Sequence, residues 1–350
     1  MPSAGPGAPG LTGRKRLSRD LSDRLCGPGE RVTSLRDLKI AVIGGGGFIG
    51  THLCNALARE GARVAALGRS RLDPAALDRA VAWTRCELSD VARLSACLAG
   101  ADVVYHLAST TTPPLAEADP AGDVAGNVVP TIRLMEVAAR EGVRRLVFVS
   151  SGGTVYGVPA AVPIPETAPT EPISAYGLQK LAIERYLALF RRKHGLDSVV
   201  LRVSNPYGPL QRARRSQGVI AAFLEAGLRG TALEIWGDGS ATRDFVYIDE
   251  VIEAMLLAAV HDGPSRVFNI GSGQGLSVNA VADDVERVLG RGPLERIHHA
   301  ARPADVPVNI LDISLIRDEM GWRPRTPWLD GLERTAAWMR TQALAPAGQP

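Results

Sequence analysis

KIAVI at residues 39–43 runs directly into GGGGFIG at 44–50. The first piece is a short apolar run, as expected of a strand buried on both faces of a sheet. The second satisfies both G-x-G-x-x-G from Gly45 and G-x-x-G-x-x-G from Gly44, and it opens a stretch of helical period over 49–60. Glycines at these spacings allow a tight turn whose backbone N–H groups approach a pyrophosphate at a helix N-terminus. A dinucleotide is therefore expected here, held by Gly44, Gly47, Phe48, Ile49 and Gly50.

Downstream the same alternation repeats. Runs at 63–67, 102–107, 145–150 and 198–203 are rich in Val, Ile and Leu, and helix-like segments lie between them at 90–98, 131–141 and 176–193. Strands alternating with helices imply right-handed crossovers and a Rossmann-like, doubly wound parallel sheet, an α/β fold. After Asn205 the rhythm breaks into Gly- and Pro-punctuated pieces, with helices near 219–228, 249–260 and 280–289. The division expected is a leader over 1–36 with a short helix near 17–25, a dinucleotide-binding domain over 37–205, a smaller C-terminal substrate-binding lobe over 206–340 and a tail over 341–350. Segments near 245–272 return to the main domain, 267–270 as a strand.

Composition narrows the function classes. With 350 residues, 45% apolar and 22% charged, the chain can bury a large core. Its net charge of +3 is concentrated in residues 1–36, which carry +4 and leave −1 for the remainder. That body has no basic excess to favour nucleic acid. Cys26, Cys54, Cys86 and Cys97 form no C-x-x-C pair, so neither a disulfide framework nor a metal site is expected, and reduced thiols suit a cytoplasmic protein. No apolar run is long enough to span a membrane, and the charged start lacks the apolar stretch of a secretion signal.

At the end of the second strand a dinucleotide site usually places an Asp or Glu on the adenosine ribose. Here the chain reads Gly68-Arg69-Ser70. Loss of the acid removes its repulsion toward a 2′-phosphate, and the Arg69 guanidinium could bind one in bidentate fashion. NADP(H) is favoured on this ground, with NAD as the alternative.

Tyr176 and Lys180 stand at i and i+4, on one face of a helix. A phenol with a pKa near 10 is a poor acid–base catalyst at neutral pH unless a nearby cation favours its phenolate. The pair follows the Ser-rich strand end VSSGG at 149–153. At this point the sequence resembles the extended short-chain dehydrogenase/reductase family of nucleotide-sugar epimerases, dehydratases and 4-ketoreductases. The ordered landmarks are GGGGFIG at 44–50, YHLA at 105–108, SSGGTVYG at 150–157, YGLQK at 176–180, SNPYGP at 204–209, WGDG at 236–239, RDFVYIDE at 243–250, RPADV at 302–306 and GWRP at 321–324.

The resemblance implies that Tyr176 is the acid–base residue and that Lys180 tunes it while holding the nicotinamide ribose. It adds Leu107 and Ala108 to the cofactor contacts. It places Asn205, Arg243, Arg302 and Asp305 on the diphosphate or ribose of a dTDP- or UDP-linked sugar, with Trp236 near the base. A homodimer is expected. Two departures matter. Gly152 occupies the usual place of the catalytic Ser or Thr, so Ser151, Thr154 or a water must supply that hydroxyl. Gly153-Thr154 stands where 4,6-dehydratases carry Asp-Glu, which argues against dehydration.

NADPH-dependent reduction of an NDP-4-keto-6-deoxyhexose is the first expectation, because an epimerase normally retains NAD and the ribose acid is missing. A UDP-hexose 4-epimerase with tightly bound NAD is the second. A silent dinucleotide-binding regulator would have no use for Tyr176 and Lys180. Asn309, four residues past Asp305, stands where strict glucose/galactose epimerases often carry a bulky aromatic near the sugar C2 group. It either lines that space or faces solvent.

Overall fold

The structure, a computed structural model, describes residues 34–71, 73–212, 218–302 and 305–344. The expected helix near 17–25 and Cys26 lie outside the described residues. Strands in chain order are β1 (Lys39–Ile43), β2 (Arg63–Gly68), β3 (Ala82–Arg85), β4 (Val103–His106), β5 (Arg145–Ser151), β6 (Asp197–Val203), β7 (Asn205–Tyr207), β8 (Leu233–Trp236), β9 (Thr242–Tyr247), β10 (Val267–Ile270), β11 (Gly275–Ser277), β12 (Arg296–His299) and β13 (Val308–Asn309).

Seven of them form one parallel sheet in the order β10-β6-β5-β4-β1-β2-β3. Alternate residues of β1 enter opposite cores. Ile40 and Val42 pack with Leu53 and Leu57 of the helix Phe48–Arg59 and with Val251 and Met255 of the helix Ile248–Val260. Ala41 and Ile43 pack with Leu94, Leu134 and Ile183 from the helices Val91–Leu98, Val129–Arg140 and Ala175–His194. This double burial explains the uninterrupted apolar runs in the sequence. The chain proceeds from β1 to β2 and β3 on one side, then from β4 outward on the other. The crevice beyond the C-terminal ends of β1 and β4 is thus a topological switch point, where such sheets take their ligands.

β10 pairs with β6, as expected of 267–270. β3 is an element the sequence reading missed: as an edge strand beside β2 its four residues, AWTR, carry no apolar run. In the lobe, β9 is flanked by β11 and β13 and also pairs with β7, while β8 and β12 form a separate parallel pair. The helix Trp328–Leu344 runs past the expected boundary at 340. Trp322 is fully buried and its indole N–H donates to Glu250 O (3.0 Å), fastening GWRP to the helix Ile248–Val260.

Candidate functional site

Gly44 adopts φ +88°, in the left-handed region that favours glycine. A Cβ on it would lie 2.9 Å from Ala108 N and 3.1 Å from Leu107 C. The turn after β1 and the YHLA segment after β4 therefore meet. A Cβ on Gly50 would collide with the Gly44 carbonyl oxygen, so the helix can start this close to the turn only without a side chain there. Gly47 is the N-cap and makes no side-chain cap bond, which leaves the first N–H groups of Phe48–Arg59 for an anion. These features fit a dinucleotide pyrophosphate. Arg69 is exposed on the loop after β2, and the same loop rests on the turn: a Cβ on Gly46 would come 2.5 Å from Ser70 O and 2.9 Å from the Trp83 ring.

The helix Ala175–His194 begins under two restraints. Ser174 Oγ accepts from Gly177 N (3.1 Å) as its N-cap, and Glu117 Oε1 accepts from Ala175 N (2.5 Å). Lys180 is buried, donates to Val149 O (3.1 Å) and lies 5.0 Å over the Phe148 ring and 5.5 Å over the Tyr176 ring. Lys180 is thereby anchored to the C-terminal half of β5 at Val149 O, with the Tyr176 ring beside its ammonium. Gly177 permits this approach, since a Cβ there would come 2.6 Å from Thr154 O. Burial and then the charge of Asp123 push the Tyr176 phenol up to about 12. Burial lowers Lys180 to about 8, opposed by Asp123 and Glu184.

Behind β5 lies a polar network. Glu184 pairs with Arg202 (2.7 Å) and accepts from Ser150 Oγ (2.5 Å); Arg202 also donates to Tyr156 OH (2.9 Å), which donates to Asn269 Oδ1 (2.7 Å). It is fully enclosed, so its partners fix the backbone that carries Ser151. Ser151 is partly buried, and Thr154 Oγ1 is buried with no hydrogen-bond partner. Gly152 has no space for a side chain: a Cβ would meet Leu311 Cδ1 at 2.5 Å and Arg202 O at 2.9 Å. That packing accounts for the missing hydroxyl at 152.

On the lobe side, Arg243 donates to Thr242 O (3.0 Å), and burial pushes its guanidinium below its ordinary value while Asp305 opposes this. Arg302 stacks on the Trp236 ring at 4.1 Å, and His299 stacks on the same indole at 5.2 Å. His299 in turn pairs with Glu234. Asn205 spends its amide on Asp244 O (3.0 Å). Asp244 is wholly buried and accepts from Ser272 N (2.6 Å), Gly273 N (3.2 Å) and Leu311 N (3.2 Å). Asn309 does not face solvent: it is buried, and its Nδ2 donates to Gly152 O (3.0 Å). β13 pairs with β9 and so faces this side chain into the core rather than outward. Neither Asp244, Asp123 nor the Arg202–Glu184 pair stood out in the sequence; of these only Asp244 lies within a landmark, RDFVYIDE.

A profile of the NAD dependent epimerase/dehydratase family matches residues 40–271. UDP-glucose 4-epimerase of Mycolicibacterium smegmatis is 35% identical over 314 residues, 87% of this chain and 100% of that protein. dTDP-4-dehydro-6-deoxyglucose reductase of Escherichia coli is 32% identical over 235 residues, 66% of this chain and 72% of that one. Among solved structures, UDP-glucose 4-epimerase of Thermotoga maritima with UDP-glucose superposes with a TM-score of 0.83 at 34% identity, covering 87% and 100% of the two chains. The Thermus thermophilus UDP-glucose 4-epimerase, in complex with NAD, gives 0.81 at 31%, covering 87% and 99%. The chain belongs to the NAD-dependent epimerase/dehydratase family and is an enzyme of the short-chain dehydrogenase/reductase type. These epimerases align along their whole length and the reductase does not, which favours the epimerase expectation over the reductase. Among the described residues no helix is long and apolar enough to cross a membrane.

Proposed function

We propose that the chain is a UDP-hexose 4-epimerase. The observation that carries this reading is the Tyr176–Lys180 pair anchored to β5 at Val149 O, in a chain that matches a UDP-glucose 4-epimerase over that protein's whole length. NAD or NADP, when bound, supplies hydride transfer at the sugar C4; Gly44, Gly47, Phe48, Ile49, Gly50, Leu107, Ala108 and Lys180 would hold it. Tyr176 takes the proton of the 4-hydroxyl and returns it after the sugar has turned over. Ser151 or Thr154 supplies the hydroxyl that steadies O4. Arg243 and Arg302 clamp the diphosphate, Asp305 and Asn205 support its ribose end, and Trp236 lies near the base. In this reading residues 37–205 serve the cofactor and 206–340 the sugar nucleotide.

A second reading, NADPH-dependent reduction of an NDP-4-keto-6-deoxyhexose, is favoured by Gly68-Arg69 in place of a ribose acid. One experiment separates them. The purified enzyme is given UDP-galactose with no added cofactor, and in parallel a dTDP-4-keto-6-deoxyhexose with NADPH. Conversion of UDP-galactose to UDP-glucose without net NAD(P)H change is expected; stoichiometric NADPH oxidation by the keto sugar alone would overturn the reading. We further propose a cytoplasmic homodimer that covers the exposed Val124, Val129, Leu178 and Tyr186 of adjacent helices. Light scattering should give about twice the 37.1 kDa of the chain.

A further inference from the structure

Gly152-Gly153 is a dipeptide with little intrinsic restraint on its backbone, yet it joins Ser151 to Thr154, the two residues whose hydroxyls are assigned to the sugar O4. The turn holds itself weakly: Ser151 O accepts from Thr154 N at 3.4 Å and from Val155 N at 3.2 Å, long for such bonds. A Cβ on Gly153 would meet nothing closer than Ser151 Oγ at 3.9 Å, so packing does not restrain that residue either. The peptide before Gly152 is fixed from β6, since Gly152 N donates to Val203 O (2.9 Å). The peptide after it is reached from the lobe, by Asn309 Nδ2 donating to Gly152 O (3.0 Å). Asn309 is 1% exposed, and its Oδ1 is buried with no hydrogen-bond partner. An apolar side chain would not carry the cost of that idle acceptor, so the donor half of the amide is what the position requires. The chain beyond Asn309 stays on the same turn. Leu311 closes on Gly152 and packs with Val155, Tyr156 and Ile164, while Ile310 O accepts from Ile164 N (2.8 Å) and Asp312 N donates to Ile164 O (2.9 Å). Residues 308–312 thus form a strap from β9 of the lobe to the end of β5.

We propose that Asn309 is a positioning residue: it pins the Gly152–Gly153 peptide from the lobe and so sets where the hydroxyls of Ser151 and Thr154 stand. This rests on the proposed function, in which one of those hydroxyls steadies O4 while Tyr176 exchanges its proton. Among the described hydrogen bonds, Asn309 makes the one that reaches this peptide. Without it the two glycines are free to rotate the peptide plane, and the residues on either side move with it. Downstream the chain is fixed independently, because Tyr156 OH is held by Arg202 (2.9 Å) and Asn269 (2.7 Å). The freedom is therefore confined to residues 152–154, next to the groups that need precise placement. Asn309 stands opposite Arg243 in the β13–β9 pair, but that pairing is made by backbone and does not need the amide. The side chain serves the turn, and the strand serves the lobe.

Asn309→Leu keeps the branched shape and loses the donor. Asn309→Asp keeps the shape and donates to Gly152 O only while its carboxyl is protonated, a state that burial favours and rising pH removes. The charged groups around the position are Arg243 opposite it, Asp244 beside Arg243, which accepts from Leu311 N (3.2 Å), and the Arg202–Glu184 pair behind Gly152. Both variants leave them unchanged. kcat and KM for UDP-galactose are measured across the pH range in which wild type is active. In Asn309→Leu kcat should fall about 10- to 100-fold at every pH, as for a displaced hydroxyl, with KM within about two-fold of wild type. Asn309→Asp, taken as a ratio to wild type, should exceed Asn309→Leu at the lowest pH and be lowest at the highest. If Asn309→Leu does not fold, Asn309→Ala removes the donor without bulk and takes its place. A donor-free variant with kcat kept, or with KM raised and kcat kept, would overturn the proposal, the latter by placing Asn309 on the sugar itself. So would an Asn309→Asp enzyme no better than the donor-free variant at the lowest pH. Failure of the parent reading shows separately, as a Tyr176→Phe enzyme that remains active.

Discussion

The Tyr176–Lys180 edge and the lobe rim are built on opposite principles. Lys180 is 4% exposed, its ammonium tied to a main-chain carbonyl of β5, and it rides on a helix whose Ile183 and Leu187 are in the core. Trp236, by contrast, is 38% exposed, and Arg302 is held to it by a ring face alone among the contacts described. Groups that move protons must stand within hydrogen-bond reach of the reacting atom, and a misplacement of about 1 Å can cost 10²-fold. A diphosphate and base offer many contacts and tolerate looser partners. On the proposed function, the chemistry is fixed by the core before substrate arrives, and the rim is left to be organised by what binds. If so, variants at the edge should affect kcat, and variants at the rim should affect KM.

The largest effect should come from Tyr176→Phe. It deletes one oxygen from a partly buried ring, so stability and cofactor affinity should be kept while kcat falls by about 10²–10⁴. Turnover above about a tenth of wild type, measured under single-turnover conditions where chemistry limits, would break the comparison at its stronger end.

What the sequence disclosed follows the same line. The strand, turn and helix over 39–50 and the Tyr176–Lys180 pair are legible because each depends on residues within one or two turns of chain. Asn309 is not: its bond to Gly152 O joins residues 157 apart. Asp123 is silent for another reason, since a π-turn leaves no period to detect and its partners Thr111 and Asn127 are common polar residues. The short edge strand β3 lacked the apolar run that betrays its buried neighbours. Local chemistry was readable, and the packing that holds it in place was not.

Arg69 tests the cofactor side. If it pairs with a 2′-phosphate, Arg69→Ala removes charge-assisted bonds of about 1.5–3 kcal/mol and weakens NADPH about ten- to a hundred-fold, with NADH unchanged. Titration calorimetry with both dinucleotides decides it. Equal losses for the two, or none, would leave Arg69 without a part in cofactor choice and would favour NAD.

Gly152→Ser restores the residue that the family usually carries, yet it should bring no gain in activity. The new Cβ would press on Leu311 Cδ1 and on the Arg202 carbonyl, in a region closed by the Asn309 bond. Overpacking of this kind costs about 1–3 kcal/mol, so the expected result is a lower Tm with kcat no higher than wild type. Leu311→Ala in the same chain should recover part of the Tm by vacating the space. A Gly152→Ser enzyme that is both stable and faster would show that the turn is softer than its packing implies, and that Ser151 and Thr154 are poor substitutes.

Trp236→Leu should have the smallest effect and is the most direct probe of the rim. Leucine keeps an apolar surface for the base but loses the ring face under Arg302, an interaction worth about 0.5–1 kcal/mol at an exposed site. Arg302 then has more freedom to lose when a diphosphate binds, so KM for UDP-galactose should rise about two- to five-fold. kcat should stay within error, because nothing in the stack of Arg302, Trp236 and His299 reaches the Tyr176 helix among the contacts described. The double variant Trp236→Leu with Arg302→Ala sharpens the test: if the indole acts by holding the guanidinium, the second substitution should abolish most of the effect of the first. A fall in kcat in the single variant would mean instead that the rim transmits substrate position to the Tyr176–Lys180 edge, and the division between the two regions would not hold.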